Sequence, residues 1–145
     1  MSKVYFCSFA LAFLFFELSN VDAKLSISQM KSIAKPWSQK CASKIGTSQE
    51  LLEAHRRGEF PEDQTLMCYL LCNAKMAKII DKNDQIDLAT VKQQLDIMAE
   101  QPDVERMMTA FKTCADKMTA TDPCRLAYEY SQCYYDMDPE IYMFS

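Results

Sequence analysis

The chain is poor in glycine and histidine: Gly46 and Gly58 are its two glycines, and His55 is its one histidine. Hairpin-rich β folds draw on glycine for their turns, so this scarcity argues for helices. A single histidine leaves the usual histidine-based catalytic and metal sets short of members. A long basic run is also missing, and the formal net charge is −4. Nucleic-acid binding needs clustered Lys or Arg against phosphate, so no nucleic-acid partner is expected. His55-Arg56-Arg57 is a short basic spot, read as a solvated helix end. With 145 residues the chain has room for one domain.

The N-terminus carries a targeting pattern. Lys3 precedes a short apolar run from Phe6 to Phe16, and Val21-Asp22-Ala23 ends in a small residue. This reads as a secretory signal peptide over residues 1–23, cut after Ala23, with the mature domain over 24–145. The expected location is therefore extracellular. The apolar run is too short for a good membrane span, and no later stretch is long enough, so no stable membrane insertion is expected. Losing Lys3, Glu17 and Asp22 leaves 15 cationic and 18 acidic side chains, a net charge of −3.

The rest reads as six helical segments. The first, Ser26 to Ile45, carries Ile27, Met30, Ala34, Trp37, Cys41 and Ile45 on one stripe. Pro36 predicts a kink or a split near Lys35. The second runs from Ser48 to Arg57; Thr47-Ser48-Gln49-Glu50 fits a capping box, and Gly58 is the stop. The third spans Glu62 to Ile80. Its stretch Leu66-Met67-Cys68-Tyr69-Leu70-Leu71-Cys72 is apolar without a gap, which predicts a central, buried helix. The fourth, Leu88 to Ala99, turns Leu88, Val91, Leu95 and Met98 inward. The fifth, Pro102 to Met118, is cleanly amphipathic. The sixth opens with Asp122 as N-cap and Pro123 at the first helical position, and ends near Met137. After Pro139, the apolar run Ile141-Tyr142-Met143-Phe144 predicts a tail that packs back onto the body.

Cys7 leaves with the signal peptide, and Cys41, Cys68, Cys72, Cys114, Cys124 and Cys133 remain. An even count in a secreted chain predicts three disulfides. Cys68 and Cys72 lie one above the other on one helix face, so each should reach a different neighbour. Cys124 and Cys133 point to opposite sides of the sixth helix at about 100° per residue. Cys114 is a natural partner for one of them, but several pairings stay open. Zinc sites favour shorter cysteine gaps and added histidines, so no metal or other cofactor is expected.

The spacing Cys41-x26-Cys68-x3-Cys72-x41-Cys114-x9-Cys124-x8-Cys133 resembles the six-cysteine signature of the insect odorant-binding and pheromone-binding proteins. The resemblance covers the whole mature chain, and the three- and eight-residue gaps are its tightest elements. Leu66-Met67-Cys68-Tyr69 is similar to the general odorant-binding branch, which includes a fly member that binds short alcohols. The resemblance implies an all-α, six-helix, disulfide-linked domain enclosing an apolar cavity. It implies the pairing Cys41–Cys72, Cys68–Cys124 and Cys114–Cys133. It also implies a non-enzymatic carrier that takes small hydrophobic odorants or pheromones through sensillum lymph to olfactory receptors.

Apolar pockets bind by removing ligand surface from water, at about 25 cal/mol per Å². The inward candidates for such a wall are Trp37, Leu66, Leu70, Met76, Ile80, Leu88, Leu95, Met98, Met107, Met108, Phe111, Tyr134 and Phe144. Each is also an ordinary core residue on its own. Tyr134 and Phe144 stand where the alcohol-binding relative has aromatics, so Ile141 to Phe144 is expected to form one pocket wall. His55 sits in a charged stretch and is expected to be solvated, which gives no support to a histidine switch. Asp136, Asp138 and Glu140 flank the tail, and their protonation would loosen it. Thr65, Thr109, Thr113 and Ser131 are possible polar anchors.

Three other functions stand as rivals. A phospholipase needs a histidine paired with a carboxylate beside a metal loop, and His55 is followed by Arg56. A carrier of another hydrophobic ligand in saliva, venom or seminal fluid uses the same pocket physics. An interaction module with a filled core would bind no small ligand. A homodimer and a receptor contact remain open as partners.

Overall fold

The computed structural model describes residues 24–144. The signal-peptide assignment to residues 1–23 lies outside the described residues. Six helices follow one another: α1 (Ile27–Ile45), α2 (Gln49–Arg56), α3 (Gln64–Met76), α4 (Leu88–Met98), α5 (Gln101–Ala115) and α6 (Pro123–Met137). The described residues hold no strand beyond an isolated bridge between Ile80 and Ile86.

Local chemistry explains most helix ends. Ser26 caps α1 in a capping box with Gln29, and Gly46 closes it in the left-handed conformation at φ 76°. Ser48, Asp63, Asp87 and Asp122 cap α2, α3, α4 and α6, each accepting from a backbone N–H of the first turn. The box expected at Thr47–Glu50 does not form. Ser48 is the N-cap, and Thr47 is buried one residue before it.

Three helix boundaries differ from expectation. Pro36 does not split the first segment, and α1 runs through it as one helix of 19 residues. Met30, Ala34 and Cys41 are all buried, so one continuous apolar seam holds both halves while Pro36 itself is exposed to solvent. α3 stops at Met76 instead of Ile80. Lys78 takes a positive φ of 55°, and Ile79 donates its N–H back to the Ala74 carbonyl at 2.8 Å. Ile79 and Ile80 remain in the core, but as part of a turn. α5 stops at Ala115, short of Met118, and only Asp116 and Lys117 follow it as turn.

α3 packs against α6 and α1, and α5 packs against α4 and α6. α3 is central, as its apolar run predicts, although its buried face also carries Asn73, fully out of water and satisfied by Ser38 and the Tyr69 carbonyl. The disulfides are Cys41–Cys72 from α1 to α3, Cys68–Cys124 from α3 to α6, and Cys114–Cys133 from α5 to α6. Each contributes roughly 2–4 kcal/mol, mainly by restricting the unfolded chain.

The tail folds back onto this frame. Ile141 and Tyr142 are 0% and 1% exposed. Tyr134 Oη donates to the Ile141 carbonyl at 3.3 Å. Arg106 of α5 holds the tail from outside, pairing with Asp138 at 2.5 Å and Glu140 at 2.7 Å.

Candidate functional site

The tail reaches its place through aromatic contacts. The Tyr142 ring meets Tyr135 at 5.4 Å, His55 at 5.5 Å, Tyr134 at 6.0 Å and Phe144 at 6.0 Å between centroids. Most of these rings meet edge to face, the arrangement that their quadrupoles favour. Phe111 and Tyr134 stack nearly parallel behind them at 4.4 Å. A side-chain polar bond joins two of these rings, between His55 Nε2 and Tyr142 Oη at 2.8 Å.

His55 is therefore not the solvated residue that its neighbours suggest. It is 1% exposed. α2 turns Leu52 and His55 inward on one face and Arg56 outward. Burial, and then the charge of Arg56, lower its pKa to about 4, so it is neutral at pH 7. Burial pushes the Tyr142, Tyr130 and Tyr134 phenols far above the ordinary range. They stay protonated and act as hydrogen-bonding apolar rings.

Beside this cluster lies a half-open cleft of about 600 Å³ between α1, α2 and the tail. Its apolar part is formed by Leu52, Tyr69, Met143 and Phe144, with His55 among them. Of these, Leu52, His55, Tyr69 and Phe144 are buried in the fold. Its polar part comes from α1 and α2: Lys31, Ser32, Lys35, Ser38, Gln39, Ser43, Gln49 and Arg56. The volume falls within the range of small-molecule sites, about 300–1,000 Å³.

The thirteen residues proposed from sequence are distributed unevenly. Phe144 lines the cleft. Leu66, Leu70, Ile80, Leu95, Met107, Phe111 and Tyr134 lie in the buried core cluster, and Trp37, Leu88 and Met108 pack half-buried against it. Leu88 and Met108 also line a shallow groove between α4 and α5. Met98 is half-buried at the end of α4. Met76 contradicts its inward assignment: it is 37% exposed, because α3 ends there and the apolar run continues inward only through Ile79 and Ile80.

Sequence reasoning missed Leu52, His55 and Tyr69. The three-residue spacing from Leu52 to His55 was the available signal, since it sets both on one helix face. The expected loosening of the tail by Asp138 and Glu140 now has a partner, Arg106. Asp136 is exposed on α6. Thr109 is also exposed, and donates to the Glu105 carbonyl. Thr65 donates to Asp63 at its own helix cap, Thr113 is half-buried, and Ser131 is buried on α6. Among the described residues, no group of three or more His, Cys, Asp or Glu is placed to hold a metal. No helix among them is long and apolar enough to cross a membrane.

Comparisons with known proteins agree with this architecture. The profile of the PBP/GOBP family matches residues 23–137. Odorant-binding protein 22 of Aedes aegypti is 26% identical over 132 residues, 91% of this chain and 88% of that protein. Among solved structures, Apis mellifera odorant binding protein 5 superposes with a TM-score of 0.72 at 32% identity, covering 84% of this chain and 99% of that one. Odorant binding protein 4 of Chrysopa pallens gives a TM-score of 0.71 at 29% identity, covering 82% and 98%.

Proposed function

The chain belongs to the PBP/GOBP family, and from that premise we propose that it is a secreted, non-enzymatic carrier of a small hydrophobic molecule, bound in the cleft beside the tail. The observation that carries the reading is the cleft itself: about 600 Å³, with a buried apolar floor of Leu52, Tyr69 and Phe144. Ligand transfer onto such a floor is driven by the loss of apolar surface to water. The tail supports this reading in part: Met143 and Phe144 line the cleft, whereas Ile141 and Tyr142 are buried in the core.

The carrier reading is favoured over catalysis by the state of His55. Its Nε2 is engaged by Tyr142, and its pKa of about 4 leaves it a poor proton acceptor at neutral pH. The physiological cargo in this reading is an odorant or pheromone, delivered through sensillum lymph to olfactory receptors. A hydrophobic ligand of another secreted fluid would use the same cleft, and the tissue in which the transcript is found separates the two.

The test is displacement of a fluorescent apolar reporter, in the full mature chain and in a form ending at Met137. The full chain should bind the reporter and release it to volatile competitors. The truncated form should bind at least several-fold more weakly. No binding by the full chain refutes the carrier. Unchanged binding after truncation refutes the role of the tail. N-terminal sequencing of the protein secreted from insect cells should begin at Lys24.

A further inference from the structure

The polar part of the cleft has one sign of charge. Lys31 and Lys35 come from α1 and Arg56 from α2, and among the described residues no carboxylate lines the cleft. This stands out on a chain of net charge −4. Three other surface grooves each mix the signs: Lys92 and Lys112 with Asp96 and Glu105, Arg106 with Glu105 and Asp138, and Lys75 and Lys82 with Asp81 and Asp87.

The asymmetry is built into α1. Between Ile27 and Ile45 it carries Lys31, Lys35, Lys40 and Lys44 and no Asp or Glu. Lys31 and Lys35 are four residues apart and so share a face, which continues through Ser38 and Ala42 into the cleft. Across from them, Arg56 lies in the last turn of α2. The described salt bridges engage none of the three: they involve Arg57, Lys75, Lys92, Arg106 and Arg125. Glu53, three residues before Arg56, accepts from the Gln49 side chain and does not line the cleft. Cations around an apolar floor, with no salt bridge to another described residue, are complementary to a molecule with an anionic head and an apolar body. Serine hydroxyls and glutamine amides at the same rim add donors for the head.

Resting on the carrier reading, we propose that the cleft selects apolar molecules carrying a single carboxylate, with the chain against Leu52, Tyr69 and Phe144 and the head among Lys31, Lys35 and Arg56. Neutral alcohols and esters of the same chain length occupy the same floor without the charge contact. The selectivity is electrostatic and lies at a partly exposed rim, so it is modest and screened by salt.

The experiment compares dodecanoic acid, dodecan-1-ol and methyl dodecanoate as competitors of the apolar reporter. It uses the full mature chain at pH 7.4 and low salt. The acid should bind roughly tenfold tighter than the two neutral compounds, and 1 M salt should remove most of that advantage. In the variant carrying Lys31→Gln, Lys35→Gln and Arg56→Gln, the acid's advantage over dodecan-1-ol, both measured on that variant, should vanish. Lys35→Glu with Arg56→Glu is the second variant; it turns the rim from three positive charges to a net negative one and should make the acid the weaker ligand. Equal affinity of acid and alcohol in the natural chain overturns the proposal and leaves the carrier standing. An acid preference that survives both variants overturns the assignment to this rim. Failure of every compound and of the reporter to bind overturns the carrier reading as well.

Discussion

Acidification should destabilise this fold through one side chain. His55 has a pKa near 4 in the native state against an ordinary 6.5. The native state therefore takes the proton less readily than the unfolded chain does. Above about pH 6.5 both states hold a neutral imidazole, and stability does not respond to this group. Below it the unfolded chain is protonated first, so stability falls as pH drops toward 4 and levels off beneath that value. The gap between the two values corresponds to about 3 kcal/mol in full, and about 2 kcal/mol is lost by pH 5. That is a large fraction of the ordinary stability of a small domain, about 5–15 kcal/mol. The assay is urea unfolding with disulfides intact, at pH 7.5, 6, 5 and 4, on the natural chain and on His55→Gln. Glutamine keeps a donor toward Tyr142 and does not titrate, and the carboxylates titrate in both proteins and cancel. The natural chain should lose about 2 kcal/mol more than the variant between pH 7.5 and 5. A constant difference between the two across pH would show that His55 is not held neutral by burial, and the reasoning would fail.

Other perturbations have separate causes. Gly58 has φ +80°, and a β-carbon there would overlap the Tyr135 phenol, so Gly58→Ala should lower the urea midpoint by the equivalent of roughly 2 kcal/mol or more; an unchanged midpoint would mean that Tyr135 moves aside freely and the left-handed backbone relaxes. Tyr142→Ala empties the centre of the aromatic cluster and leaves His55 Nε2 without its partner, at a cost of roughly 3–5 kcal/mol. Limited proteolysis should then cut the tail of that variant well before the body, and equal rates would contradict the anchor role. Replacing Cys114 and Cys133 together by serine should cost roughly 2–4 kcal/mol, read from the same unfolding curves.

Much of this structure is written in short-range patterns. Asp122-Pro123 announces α6, Ser26 and Gly46 bracket α1, and the cysteine spacing carries the family. What is less legible depends on residues far apart in the chain. Nothing around Ile79-Ile80 announces that Lys78 will turn the chain and carry both isoleucines into the core outside a helix. The burial of His55 is hidden by Arg56 and Arg57, and its partner Tyr142 lies 87 residues away. The cleft is hidden for a related reason. Apolar stripes mark the packed core, and this cleft takes much of its lining from serines, lysines and Gln39 on the outer side of α1.

The three disulfides also divide the molecule in a way that their even spread conceals. Cys41–Cys72 closes a loop within the first three helices, and Cys114–Cys133 closes one within the last three. Cys68–Cys124 alone ties the first group to the second. The chain passes between the groups through the surface turn at Asp81 to Asp84. A protease that nicks this turn would leave one particle held by a single covalent strap, running as one band until reduced and as two afterwards.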